Sequence, residues 1–87
     1  MNREFFKRKT VEPFLRELKN AWIWTNFKFD YFIVLNGMSV GIMVMPHKEY
    51  YDEESLDSLK RAGGIPLIVD ERNWKRISKV LTILSDK

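Results

Sequence analysis

The chain has 87 residues, 45% of them hydrophobic and 31% charged, with a net charge of +3 and no cysteine. That length makes one domain, 1–87, which buries roughly 60–65% of the surface of its unfolded chain and gains from any further apolar burial in a homodimer. The composition excludes a disordered chain, and the missing cysteines exclude disulfide staples and thiolate metal sites. No apolar run approaches the roughly 18 residues of a membrane span, and Phe5-Phe6 is too short for a signal-peptide core. The expectation is a soluble, cytoplasmic protein with no membrane partner.

Residues 1–9 read as a basic N-terminal arm, with Arg3, Lys7, Arg8 and Lys9 around Phe5 and Phe6. Thr10 is then the predicted N-cap of a helix, Pro13 sits in its first turn, and Val11, Phe14, Leu15 and Leu18 share one face. The helix is expected to end near Asn20. Ala21 to Thr25 alternates and is rich in β-formers, which predicts the first strand.

Residues 28–45 form the clearest local signal. Two β-rich runs flank Asn36-Gly37, and a type I′ turn needs φ > 0 at both central positions. A two-residue loop sets Leu35 against Met38, so paired positions sum to 73. Strict alternation then puts Phe29, Tyr31, Ile33, Leu35, Met38, Val40, Ile42 and Val44 on a core face. Lys28, Asp30, Phe32, Val34, Ser39, Gly41, Met43 and Met45 fall on the other, with Asp30 opposite Met43 and Lys28 opposite Met45.

Pro46 ends the third strand, and residues 46–51 read as a loop. Asp52 or Ser55 is the predicted cap of a second helix burying Leu56 and Leu59, which Gly63-Gly64 terminates in the left-handed region. Ile65 to Val69 is a short apolar strand whose lack of alternation predicts burial on both faces. Asp70 caps a last helix with Trp74, Ile77, Leu81 and Leu84 as its buried stripe. The order is αβββαβα, an α+β or α/β chain with a mixed four-stranded sheet, a central β-hairpin and flanking helices. A helix before strand four favours its parallel return to the meander.

Charge is unevenly distributed along the chain. Residues 1–28 and 60–87 each carry seven Lys/Arg against three acids, whereas 29–59 carry one Lys against six acids. In the last helix Arg72, Lys75, Arg76 and Lys79 fall on one face. Together with Arg3, Lys7, Arg8 and Lys9 they are the candidate nucleic-acid contacts, because cations that neutralise phosphates supply sequence-independent affinity. The alternative is an ordinary solvated face of an amphipathic helix. Trp22 and Trp24 share a face of an edge strand, where they either pack inward or mark a dimer or partner interface. Glu49, Asp52, Glu53, Glu54 and Asp57 cluster near a helix start, which the helix dipole favours; the alternative is an acidic docking surface for a basic partner. His47 has no ligand-spaced partner, and no phosphate loop, catalytic triad or zinc pattern occurs.

From residue 11 to residue 81 the chain resembles the restriction-endonuclease-like superfamily, the PD-(D/E)xK nucleases. It is most similar to their small phage branch, the virus-type replication-repair nucleases. Phe29-Asp30 stands where the family has Pro-Asp, Asn36-Gly37 is the turn, and Ala62-Gly63-Gly64-Ile65-Pro66 matches the link to the last core strand. Met43-Val44-Met45 stands where Glu-x-Lys belongs. The family's chemistry needs two carboxylates on Mg²⁺ and a lysine near the attacking water, and thioethers do not suit Mg²⁺. The resemblance therefore implies a pseudoenzyme with vestigial Asp30, Met43 and Met45, no cofactor, and a binding role. It implies a viral or mobile-element protein that holds nucleic acid, or that inhibits a host nuclease or defence complex. The alternative is an active Mg²⁺-dependent endonuclease or junction resolvase with a migrated site. Lys28 and one of Glu49, Asp52, Glu53 or Glu54 would then replace the missing groups, and Asp30 is the weak metal candidate; the favoured alternative for Asp30 is a structural pairing with Lys28 or a neighbouring Arg.

Overall fold

The computed structural model describes residues 2–25, 29–45 and 53–86. Its sheet is mixed and four-stranded, in the order β1 (Ala21–Trp24), β2 (Tyr31–Leu35), β3 (Met38–Val44) and β4 (Ile65–Val69). β1, β2 and β3 are antiparallel neighbours, and β4 lies parallel to β3. Helices precede the sheet, link β3 to β4 and follow β4, so the αβββαβα order and the parallel return both hold. The predicted loop residues Pro46, His47 and Glu49, together with Lys28 and Asp52, lie outside the described residues.

The N-terminal helix differs most from the sequence expectation. It starts at Arg3, not after Thr10, and runs as α1 (Arg3–Phe6), a π-helical stretch (Lys7–Val11) and α2 (Glu12–Arg16). Asn2 caps it by accepting the Phe5 N–H. The basic arm is thus part of the helix. Pro13 explains the π stretch: in a continuous α-helix its ring would clash with the Lys9 carbonyl, and a widened turn relieves that. The widened turn also aligns Phe6, Val11 and Leu15, all buried, which plain α-helical spacing would scatter. The helix ends at Arg16, and Asn20 takes a left-handed φ of 56° at the entry to β1.

The hairpin keeps the predicted register. Leu35 pairs with Met38, and the sum of 73 holds to Tyr31 and Ile42. Asn36 and Gly37 have φ of 52° and 88°, as a type I′ turn requires. Tyr31, Ile33, Leu35, Val40, Ile42 and Val44 are fully buried on one face. They meet Phe6, Val11 and Leu15 of the N-terminal helix and Leu81 of α4 (Trp74–Ser85). Trp74 lies between Phe6 and Phe14 in two edge-on ring contacts, with centroids 6.1 and 5.2 Å away, which ties both helices into one layer.

The opposite face holds a smaller cluster of Phe29, Met43, Leu56 and Leu59, the last two from α3 (Glu53–Arg61). Gly63, at φ 85°, ends α3 in a Schellman turn: its N–H bonds the Lys60 carbonyl, and the Gly64 N–H bonds the Leu59 carbonyl. Ser55 is a buried residue inside α3, not its cap. β4 is an edge strand with only Val69 fully buried and Ile68 exposed, so the expected burial on both faces is corrected. Asp70 accepts the N–H groups of Arg72 and Asn73, holding a turn that delays the last helix until Trp74.

Candidate functional site

Asp30 is the residue whose surroundings matter most. Continued alternation would aim it at Met43, but the chain bends at residues 29 and 30 before β2 begins. Phe29 consequently joins the α3-side cluster instead of the Tyr31 face, and Asp30 turns toward the N-terminal helix. The expected opposition of Asp30 and Met43 is corrected: the paired ladder stops at Tyr31 and Ile42.

The ladder's end explains the new position. Leu35 and Met38 close a tight turn as a hydrogen-bonded pair, so Ile33–Val40 and Tyr31–Ile42 are also hydrogen-bonded pairs and Val44 is the next β3 residue to present its backbone toward β2. β2 supplies no strand residue there. Instead the Val44 N–H donates to Asp30 Oδ2 at 2.7 Å, and Arg3 Nε donates to the Val44 carbonyl at 2.8 Å. Arg3 also bonds Asp30 Oδ1, and Lys7 Nζ lies 3.2 Å from the same oxygen. The Arg3–Asp30 pair thus finishes the sheet with side chains.

The π stretch makes this arrangement reach further. Its i→i+5 bond, Glu12 N–H to the Lys7 carbonyl, brings Lys7 and Glu12 toward the same side of the helix, whereas an α-helix would set them about 140° apart. Lys7 lies 5.6 Å from the Tyr31 ring centroid, and the Tyr31 hydroxyl donates to Glu12 at 2.8 Å. That hydrogen bond is the main cause holding the Glu12 carboxyl below its ordinary range, opposed by partial burial and aided by Arg16. Burial, and then the Glu12 contact, push the Tyr31 hydroxyl well above its ordinary value. The network runs outward through Arg16 to Glu12 and through Arg3 and Arg8 to Glu4.

The three vestigial positions are not one site. Met43 is buried, at 4% exposure, against Phe29, Leu56 and Leu59. Met45 adopts a left-handed φ of 43°, which breaks the alternation and packs it against the main core. Glu53 and Glu54 are exposed on α3, across the sheet from the helix that binds Asp30. A cavity of about 440 Å³ between α3 and β4 is lined by Glu53, Leu56, Asp57, Lys60, Pro66 and Ile68, and Asp30 does not border it. Among the described residues, no group of three or more acidic or histidine side chains could jointly hold a metal ion.

The eight candidate nucleic-acid contacts divide in two. Arg3 and Lys7 turn inward to Asp30. Arg8 and Lys9 are exposed on the N-terminal helix, Arg8 with a 3.3 Å surface pair to Glu4. Arg72, Lys75, Arg76 and Lys79 are exposed at the start of α4 and on its outer face. Because Trp74 packs between Phe6 and Phe14, the outward cations of both helices belong to one helical layer. Among the described residues, no helix is long and apolar enough to cross a membrane.

No protein-family model, curated protein or solved structure matches this chain. The functional reading therefore rests on its own residues. Sequence reasoning missed Arg3, Lys7 and Glu12 as partners of the β2–β3 edge. The available signal was the 6, 11, 15 spacing of Phe6, Val11 and Leu15, which fits a helix only if one turn is widened.

Proposed function

We propose that this protein is a non-catalytic nucleic-acid-binding module on a scaffold that resembles the PD-(D/E)xK nucleases. The observation that carries the reading is the exposed, outward row Arg72, Lys75, Arg76 and Lys79, in one layer with Arg8 and Lys9. Cations on an exposed helix face neutralise backbone phosphates and read no base edges, so the binding is sequence-tolerant and weakens with salt.

The inactive part of the reading comes from Asp30. A metal ion there would have to displace two cations and a backbone N–H, with Met43 on the far face of the sheet supplying nothing. The element order and mixed sheet agree with a nuclease-like scaffold at the level of topology. The competing reading, an Mg²⁺-dependent nuclease, needs ligands that come from outside the Asp30 cluster.

Fluorescence anisotropy with labelled duplex and single-stranded oligonucleotides, at several salt concentrations, tests the proposal. Binding whose log affinity falls linearly with log salt, without cleavage in Mg²⁺ or Mn²⁺, is the expected result. Absence of binding at low salt moves the partner to a protein, and metal-dependent cleavage overturns the non-catalytic reading.

A further inference from the structure

We propose that β1 is the seam of a homodimer, in which two copies pair edge to edge and form one eight-stranded sheet. β1 is an outer strand, and among the described residues no strand lies on its far side. Edges of this kind are normally blunted by charge, proline or a bulge. Here residues 20–26 read Asn-Ala-Trp-Ile-Trp-Thr-Asn, with none of these devices.

That segment is also nearly a palindrome about Ile23, and the symmetry selects a second copy as the occupant. An antiparallel pair related by a two-fold axis sets each residue against its mirror position. With the axis at Ile23, Trp22 meets the second copy's Trp24, Ala21 meets Thr25, and Ile23 meets itself.

The backbone phase agrees. The Asn36 N–H bonds the Asn20 carbonyl at 3.0 Å, and the β1–β2 register pairs Trp22 with Val34 and Trp24 with Phe32. Positions 20, 22 and 24 therefore direct their backbone groups toward β2, while Ala21 and Ile23 direct theirs outward, and Thr25, just past the end of β1, follows in the same phase. A two-fold at Ile23 engages all three outward positions. It leaves the Trp22–Trp24 contacts at non-hydrogen-bonded pairs, where opposed side chains come closest.

Area points the same way. Trp22 is 69% exposed and Trp24 48%, on the sheet face away from the helical layer, with Trp24 6.4 Å from the Phe32 ring. Four such indoles offer at most about 600 Å² to the seam, up to half of the roughly 1,200 Å² at which stable interfaces begin. The strand backbones and flanking residues contribute the remainder. The axis runs normal to the sheet, so both helical layers face one side and the indoles face the other. The dimer stands or falls independently of nucleic-acid binding.

Sedimentation equilibrium of the full chain should give twice the 10.4 kDa chain mass. A parent that stays monomeric into the high micromolar range overturns the proposal. Thr25→Pro removes an outward N–H without touching a β1–β2 bond, and it should yield a folded monomer with unchanged far-ultraviolet circular dichroism. A Thr25→Pro chain that remains a dimer also overturns the proposal. Register is read by cross-linking, because the chain has no native cysteine. A mixture of Trp22→Cys and Trp24→Cys chains should form a disulfide dimer on oxidation. Either chain alone should not, since like positions lie about 8 Å apart, beyond disulfide reach. Self-linking of Trp22→Cys alone, without the mixed product, contradicts the two-fold at Ile23.

Discussion

Two groups of cations in this protein have opposite fates. Arg3 and Lys7 point inward, where they hold Asp30 and, through Arg3 Nε, the Val44 carbonyl at the end of β3. Arg72, Lys75, Arg76 and Lys79 point outward from the start of α4 and are exposed. Sequence alone makes the two groups look alike, since each is a basic run beside aromatic residues. The difference is topological: the N-terminal helix crosses the open end of the β2–β3 ladder, and α4 starts beyond the sheet's last strand. Cations beside an unfinished ladder become part of the fold, and cations on a free helix face remain available to a partner.

The contrast is broken most severely at Asp30. Asp30→Ala leaves the Val44 N–H, Arg3 and Lys7 without their acceptor, and should cost about 2–4 kcal/mol in urea unfolding. Asp30→Asn keeps an acceptor for Val44 and should lose about half as much. A loss under about 0.5 kcal/mol for the alanine variant would show the cluster to be an ordinary surface ion pair.

Met43→Glu comes next. The carboxyl would enter the apolar cluster of Phe29, Leu56 and Leu59, at a cost on the order of 1–3 kcal/mol near neutral pH. Burial would raise its folded pKa, so the deficit should shrink as pH falls and the group becomes neutral. A pH-independent, neutral outcome would show position 43 to be open to water. The same change sharpens the comparison, because a carboxylate facing Asp30 would instead respond to added Mg²⁺ in thermal melts.

Tyr31→Phe should cost about 1–2 kcal/mol at pH 7 through the lost bond to Glu12. The Glu12 carboxyl is held below its ordinary 4.5, so its contribution is complete above that pH and disappears as pH falls through the lowered value. Tyr31 is shifted upward, so its contribution is complete below its ordinary 10.0 and declines as pH rises beyond it. Parent and variant melting temperatures should therefore converge at both acidic and strongly alkaline pH. Parallel curves across the whole range would remove this bond from the account.

Much of this fold was legible because its signals are local. Asn36-Gly37 fixed the hairpin register, Gly63 fixed the end of α3, and the stripe of Trp74, Ile77, Leu81 and Leu84 fixed the inner face of α4. The errors arose where long-range contact overrode local pattern. Pro13 reads as the start of a helix, yet a π turn let the helix continue back to Arg3. Asp30 reads as the partner of Met43 by strict alternation, yet two cations and the Val44 N–H drew it to the other side. Met45 left its expected face through a left-handed backbone that no residue type there announced. The outward row on α4 was legible because an amphipathic helix shows its free face in sequence; a structural arginine partner for Asp30 was expected too, whereas its identity as Arg3, joined by Lys7, was not legible.

The smallest effect on stability should come from the outer face of α4, where Arg72→Glu with Arg76→Glu is expected to change unfolding free energy by less than about 0.5 kcal/mol. That double variant and Asp30→Asn, compared side by side for oligonucleotide affinity well below their melting temperatures, test the central claim most directly. The account predicts that the α4 variant melts like the parent but binds at least about tenfold more weakly with a flatter salt dependence. Asp30→Asn should melt earlier and bind like the parent. Affinity that falls with Asp30→Asn and survives the α4 reversals would contradict the division between structural and partner-facing cations.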